Sequence, residues 1–228
     1  MISNSKIWIV SDVDGTLMDH FYDLTPAKET INWLQRLGVP VILCTSKTKS
    51  EVKIIRDDLN LKDPYIVENG GAIYGEYTDG KEWEIILGKS YSILEKILNS
   101  LSENINFKLR PLNTLTDDEA TDLTGLEGES LNLMRDRHWS MPFLNPPQNF
   151  DEDLKRLCEI YAVDIFRGNR MSHLLSKHSN KGLAIKKLLN KSNNSNVQII
   201  GLGDSPNDLP LLINSNYKVV ISGIKGPN

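Results

Sequence analysis

The sequence predicts an α/β fold, a parallel sheet covered by helices and interrupted by an α+β insertion. Three observations predict it. Short apolar runs alternate with amphipathic helical patterns through the first part of the chain, and the same alternation resumes near its end. Between them the order changes to helices and hairpin-like pairs. Continuously apolar strands belong to sheets buried on both faces, and their alternation with helices makes neighbouring strands parallel. The expected division is a first core segment over residues 1–78, an α+β cap over 79–176, and a second core segment over 177–228.

The elements follow in order. IWIV (7–10) reads as a buried strand. AKETINWLQRL (27–37) reads as an amphipathic helix, with Thr25 as N-cap, Pro26 at its first position and Gly38 closing it. VPVILC (39–44) is a second strand, KSEVKIIRDDL (49–59) a second helix and YIV (65–67) a third strand. In the insertion, WEIIL suggests a hairpin arm, and helices are expected near 91–101 and 151–161. The acidic stretch TDDEATDLTGLEGES (116–130) carries no assignment. VDIFRGNRMSHLL is two apolar runs split by Gly168-Asn169, a hairpin signal. The βαβ order then returns with a helix at 181–189, a polar loop KSNNSN (191–196), a strand VQIIGL (197–202), a helix at 206–213 and a strand YKVVI (217–221).

Composition narrows the function classes. The 228 residues carry 25% charged and 39% hydrophobic side chains, ordinary for a globular protein. A net charge of −4 argues against nucleic acid as a partner, since phosphate backbones select basic surfaces. Cys44 and Cys158 stand alone, without metal or redox spacing, and are expected to be reduced and buried. The apolar run at 7–10 is too short for a signal peptide, and no stretch reaches the roughly 20 apolar residues of a membrane span. The expectation is a cytoplasmic protein that engages neither membrane nor nucleic acid.

Chemistry concentrates where the strands end. SDVDGT follows IWIV, TSKT (45–48) follows VILC, ENGG (68–71) follows YIV, and GDSPND (203–208) follows VQIIGL. The carboxyl ends of strands in an open α/β sheet converge on the ligand crevice. That convergence would gather Asp12, Asp14, Thr45, Ser46, Asn69, Asp204, Asn207 and Asp208. Each cluster read alone is also an ordinary turn, because Asp, Asn, Ser and Gly cap and bend the chain. A calcium loop of the EF-hand kind fails, since its glycine stands at the sixth position and Gly15 falls at the fourth. Several carboxylates at one sheet edge repel unless a cation sits among them, and an all-oxygen set with an open position suits Mg²⁺. Lys181 opens a helix aimed at the same edge, and is the only lysine expected to do so. A solvated surface lysine is the alternative. Cation, amides at helix starts and the Thr45 hydroxyl together suit a small phosphorylated molecule.

DVDGT, the threonine after VILC, Lys181 and GDSPND resemble the four signature motifs of the haloacid dehalogenase (HAD) superfamily, in order and in strand placement. The resemblance implies a Rossmann-like HAD core with an inserted cap of the second, larger type. VPVILCTSKT, ENGG, RGNRMSHLL and GLGDSPNDLPLL are similar more narrowly to the mannosyl-3-phosphoglycerate phosphatases of that superfamily. On this resemblance Asp12 is the nucleophile and Asp14 the general acid and base, while Thr45 and Lys181 hold the phosphoryl group. Asp12, the Asp14 carbonyl, Asp204 and Asp208 form the Mg²⁺ environment. Ser46, Asn69 and Asn207 are expected against the substrate, as are Arg170 and His173 from the cap, ahead of Arg135, Arg137 and Arg167. The implied reaction is removal of phosphate from mannosyl- or glucosyl-3-phosphoglycerate. Another sugar-phosphate phosphatase, a phosphomutase or a non-catalytic phosphate sensor on the same fold are the alternatives. His173 and His178 could suggest zinc, but no further ligands at suitable spacing accompany them.

Overall fold

The computed structural model describes residues 5–19, 22–168, 170–177, 179–192 and 196–222. The expected loop residues 193–195, Asn169 of the hairpin turn, and His178 lie outside these. The chain divides into two compact units, one of residues 1–47, 52–86 and 180–228, the other of 48–51 and 87–179.

The first unit is built on strands β1 (Ile7–Ser11), β2 (Val41–Leu43), β9 (Gln198–Gly203) and β10 (Tyr217–Val220), all parallel in the order β10-β9-β1-β2. Trp8, Val10, Val41, Ile42, Leu43 and Ile199 are buried in this sheet, as the continuous apolar runs require. A single parallel bridge from Cys44 to Ile66 leads on to β3 (Tyr65–Val67). β3 pairs antiparallel with β4 (Ala72–Glu76), which pairs antiparallel with β5 (Glu82–Ile86). WEIIL is therefore an arm of a hairpin, but its partner keeps it in the first unit. The unit accordingly runs to residue 86, past the boundary expected at residue 78.

The helices α1 (Thr25–Arg36), α2 (Lys49–Asp58), α7 (Lys181–Ser192) and α8 (Leu209–Ile213) fall where the periodicity puts them. One cap differs. Thr25 is the first helical residue and not the N-cap, and its backbone N–H donates to Asp23 Oδ1 at 2.8 Å. The acidic side chain two residues earlier thus satisfies a donor that Thr25 itself was expected to help cap. Gly38 ends the helix with φ +69°, its N–H donating to the Gln35 carbonyl.

The second unit is α+β. Strands β6 (Ser140–Leu144), β7 (Val163–Arg167) and β8 (Met171–Ser176) form an antiparallel sheet in the order β6-β8-β7. Met141, Phe143, Leu174 and Val163 pack with Leu94, Leu98 and Leu101 of α3 (Tyr91–Asn104) and Leu154 and Leu157 of α6 (Asp151–Tyr161). The unassigned acidic stretch holds a helix, α4 (Asp117–Thr124), and the start of another, α5 (Gly128–Arg135). Thr116 accepts from the Glu119 N–H and Glu119 accepts from the Thr116 N–H, a reciprocal cap written in the sequence as T-D-D-E. Ala120 and Leu131 give these helices a small core with Leu112, Leu115 and Met171. Cys44 and Cys158 are both unbonded and buried. Among the described residues no helix is long and apolar enough to cross a membrane.

Candidate active site

Strand register brings the polar loops to one edge. Ser11 pairs with Leu43 on one side and Leu202 on the other, so β1, β2 and β9 end level. The residues that follow, Asp12, Thr45 and Asp204, emerge together. The Asp12 N–H donates to the Leu202 carbonyl at 3.0 Å, and the Thr45 N–H to the Ile66 carbonyl at 3.0 Å, which holds both loops to the sheet.

Lys181 is the centre of the charged cluster. Its Nζ donates to Asp12 Oδ1 at 2.7 Å and to Asp208 Oδ1 at 2.6 Å, and its side chain is 1% exposed. Asp208, fully buried, turns its other oxygen to the N–H groups of Asp204 and Ser205, both at 3.1 Å. One carboxylate thus fastens the lysine and shapes the loop that carries Asp204. Burial drives the Asp12 carboxyl upward, to about 7, against the pull of the Lys181 ammonium and with the push of Asp208 and Asp14. Burial opposes the charge on Lys181, but Asp12 and Asp208 outweigh it and hold the ammonium above the ordinary lysine range.

The ENGG loop reaches the same place through unusual backbone. Asn69 adopts φ 56°, ψ 32°, a left-handed conformation that asparagine tolerates. Its N–H donates to the Thr45 carbonyl at 2.9 Å, and its Oδ1 accepts from Asn207 Nδ2 at 3.1 Å. Gly70 has φ +92°, and a Cβ there would stand 2.4 Å from the Asn180 carbonyl carbon and oxygen. A side chain at position 70 would therefore displace the turn that launches Lys181. Thr45 is fully buried, and Ser46 follows it in the same loop, half-buried.

Oxygens of Asp12, Asp204 and Asp208 lie within 4.8 Å of one another. Gly15 leaves the room: its Cβ would lie 2.6 Å from Asp204 Oδ2. An all-carboxylate set with no nitrogen or sulfur donor fits a hard divalent cation such as Mg²⁺. Asp14 turns its side chain elsewhere, its Oδ1 lying 2.9 Å from Lys47 Nζ. Lys47, a lysine of the strand-end loop and not of a helix start, was missed. The signal was present in TSKT, a cation in a strand-end loop two residues after Thr45.

Arg170 and His173 belong to the second unit. Arg170 donates to the Thr124 carbonyl at 2.6 Å, the last residue of α4, and is otherwise exposed. His173, central in β8, has a buried Nδ1 with no hydrogen-bond partner among the described residues. Burial, with Arg137 nearby, pushes its imidazole down to about 3, so it is neutral. Arg167 is bound to Asp151 and the Pro146 carbonyl, and Arg135 to Asp117 and the Leu115 carbonyl.

Residues 9–138 and 140–223 match the pattern of the haloacid dehalogenase-like hydrolases. The chain is 30% identical over 95% of its length, and 85% of the relative's, to the glucosyl-3-phosphoglycerate/mannosyl-3-phosphoglycerate phosphatase of Persephonella marina. Solved structures share the fold at lower identity. Protein 0175 of Thermoplasma acidophilum superposes with TM-score 0.68 at 20% identity, covering 94% of this chain and 92% of that one. A haloacid dehalogenase-like hydrolase from Bacteroides thetaiotaomicron gives 0.68 at 16%, covering 92% and 86%. A sugar phosphatase of HAD subclass IIB gives 0.65 at 14%, covering 93% and 86%.

Proposed function

The chain belongs to the haloacid dehalogenase-like hydrolases, and from that premise we propose that it is a Mg²⁺-dependent phosphatase that removes the phosphate of glucosyl- or mannosyl-3-phosphoglycerate. The observation that carries the reading is Lys181, buried between Asp12 and Asp208 beside Asp204. Asp14, two residues beyond Asp12, stands outside that ion pair. A phosphatase has two uses for that aspartate. The similarity to the Persephonella enzyme supports the substrate.

In this reading an Asp12 carboxylate oxygen bonds to phosphorus as the bond from phosphorus to the glycerate oxygen breaks. Asp14 gives that oxygen its proton. Asp14, then ionised, takes a proton from water as the water attacks the aspartyl-phosphate, releasing inorganic phosphate and restoring Asp12. Lys181 keeps Asp12 oriented and offsets phosphoryl charge, while Thr45, Ser46, Asn69 and Asn207 supply hydrogen bonds to the phosphoryl group. Asp12, the Asp14 carbonyl and Asp204 would hold Mg²⁺, with Asp208 behind them, and the ion when bound neutralises phosphoryl charge. Phosphate monoesters hydrolyse so slowly that accelerations approaching about 10²¹ are met in enzymes, so covalent, acid–base and electrostatic contributions must combine. Arg170 and His173 are the cap groups we assign to the glycosyl glycerate.

The test is phosphate release with Mg²⁺ across glucosyl- and mannosyl-3-phosphoglycerate, glucose 6-phosphate and other hexose phosphates. The glycosyl phosphoglycerates should show much the highest kcat/KM. Chelation should abolish release and Mg²⁺ restore it. Equal efficiency on glucose 6-phosphate overturns the substrate, and phosphate transfer between positions without release points to a mutase.

A further inference from the structure

Lys47 stands at the phosphate site and has no part in the steps above. Its main chain is tied to the loops that shape that site. The Lys47 N–H donates to Thr45 Oγ1 at 3.2 Å, and its carbonyl accepts from the Glu68 N–H at 2.9 Å. Its Nζ lies 2.9 Å from Asp14 Oδ1 and 5.5 Å from the centre of the Tyr22 ring. The lysine side chain is 11% exposed, the Asp14 side chain 42%. The stem is packed, and the ion pair opens at the rim.

The two lysines of the site differ in what they can release. Lys181 is held by two buried carboxylates, and parting it from either leaves a buried charge without its partner. Lys47 is held by a single carboxylate that water reaches, so that carboxylate can leave it without being stranded as a buried charge. A second carboxylate can therefore replace Asp14 on Lys47 at little cost. The substrate class proposed above carries such a group, separated from its phosphorylated carbon by a single carbon. Asp14 is assigned above to the leaving oxygen, so Lys47, 2.9 Å from Asp14 Oδ1, stands beside the leaving group that carries this carboxylate.

We propose that Lys47 is a specificity-determining residue of the core that receives the substrate's carboxylate, exchanging Asp14 for it. The inference rests on the phosphatase reading and deepens it. It explains selection for a phosphate with a neighbouring carboxylate by a residue of the first unit.

The experiment compares glucosyl-3-phosphoglycerate with its analogue in which the carboxylate is reduced to hydroxymethyl. The quantity read is the ratio of their kcat/KM values in wild type, Lys47→Gln and Lys47→Arg. Lys47→Gln should collapse the wild-type ratio by roughly 10–100-fold, the range of a charge-assisted hydrogen bond, chiefly through KM. Lys47→Arg should keep most of it. Calorimetric binding of both compounds in the Asp12→Asn background should show the same loss without turnover. A ratio in Lys47→Gln within about threefold of wild type overturns the inference, and so does an equal loss on both compounds, which would assign Lys47 to the phosphoryl group. Should wild type hydrolyse neither compound yet cleave other phosphomonoesters, the substrate reading fails by itself. 3-Phosphoglycerate against glycerol 3-phosphate then puts the same question to Lys47, with the same outcomes deciding.

Discussion

Lys181 of the first unit and Arg135 of the second are both cations with more than one acceptor, yet they do different work. Lys181 is buried between two buried aspartates. Arg135 reaches an exposed aspartate, Asp117, and the carbonyl of Leu115, at the start of α4. At the strand ends of the first unit Lys181 and Lys47 face aspartates. In the second, Arg135, Arg167 and Arg170 each turn to a main-chain carbonyl. Burying a charge carries a desolvation cost that an exposed one avoids, so a fold retains buried charges where they are mutually satisfied and of use. Charges turned to local backbone hold loops and helix ends together.

The contrast can be broken most decisively at Asp12. Asp12→Asn, nearly isosteric, should leave a folded protein by circular dichroism with turnover reduced to background. Retained activity in the folded variant would remove the nucleophile from the first unit. Asp14→Asn should lower kcat by roughly 10²–10⁴-fold, the contribution of a positioned acid–base group. A loss of only a few-fold by steady-state phosphate release would end that role.

Lys181→Met tests burial itself. It leaves Asp12 and Asp208 without their shared counter-ion, and breaking a buried pair in this way costs about 3–5 kcal/mol. Urea unfolding measures it. The exposed pair Lys28–Asp58, at 2.7 Å a similar contact, should give about 1 kcal/mol or less in Lys28→Ala. Equal losses at the two sites would erase the distinction.

His173 sharpens the comparison from the other side, as a group of the second unit buried neutral. Its folded value, about 3, lies below the ordinary 6.5. Between those values the unfolded chain binds a proton that the fold excludes, so stability is fully present above pH 6.5 and is lost as pH falls toward 3. By pH 5 the loss should be about 2 kcal/mol. Unfolding midpoints at pH 7 and pH 5 should differ less in His173→Gln than in wild type, and an unchanged difference would place the titrating group elsewhere. A small effect also belongs to the cap of α4. Thr116→Ala should cost about 1 kcal/mol, read by thermal or urea unfolding, with the midpoint unmoved if Glu119 alone suffices.

Much of this arrangement is legible in the residues. Apolar runs ending in Asp, Thr and Asn announce strand ends, and IWIV-SD or VQIIGL-GD reads as a βα turn with a charged tip wherever it falls in the chain. Asp12, Asp14, Thr45, Asp204 and Asp208 follow from that rule, and so does Lys181 at a helix start. α4 was legible too, since T-D-D-E states its own cap, although its acidic run obscured the helix. Arg170 and His173 were not legible in the same way. RGNRMSH places them close in sequence, but strand alternation and neighbouring helix ends decide that one arginine binds the Thr124 carbonyl and the histidine buries a bare nitrogen.

The sequence by itself determined most strands and helices of the first unit, the parallel pairing of its core sheet and the side chains its edge carries, because hydrophobic period and turn chemistry are local. Only the tertiary structure decided how those side chains are shared. Lys181 chose Asp12 and Asp208, and Lys47 chose Asp14, because level strand ends and a left-handed turn at Asn69 set the separations. β5 stayed with the first unit because its ladder partner, β4, is there. Pairing between charges depends on distances of a few ångströms across residues far apart in the chain, and no local pattern encodes them.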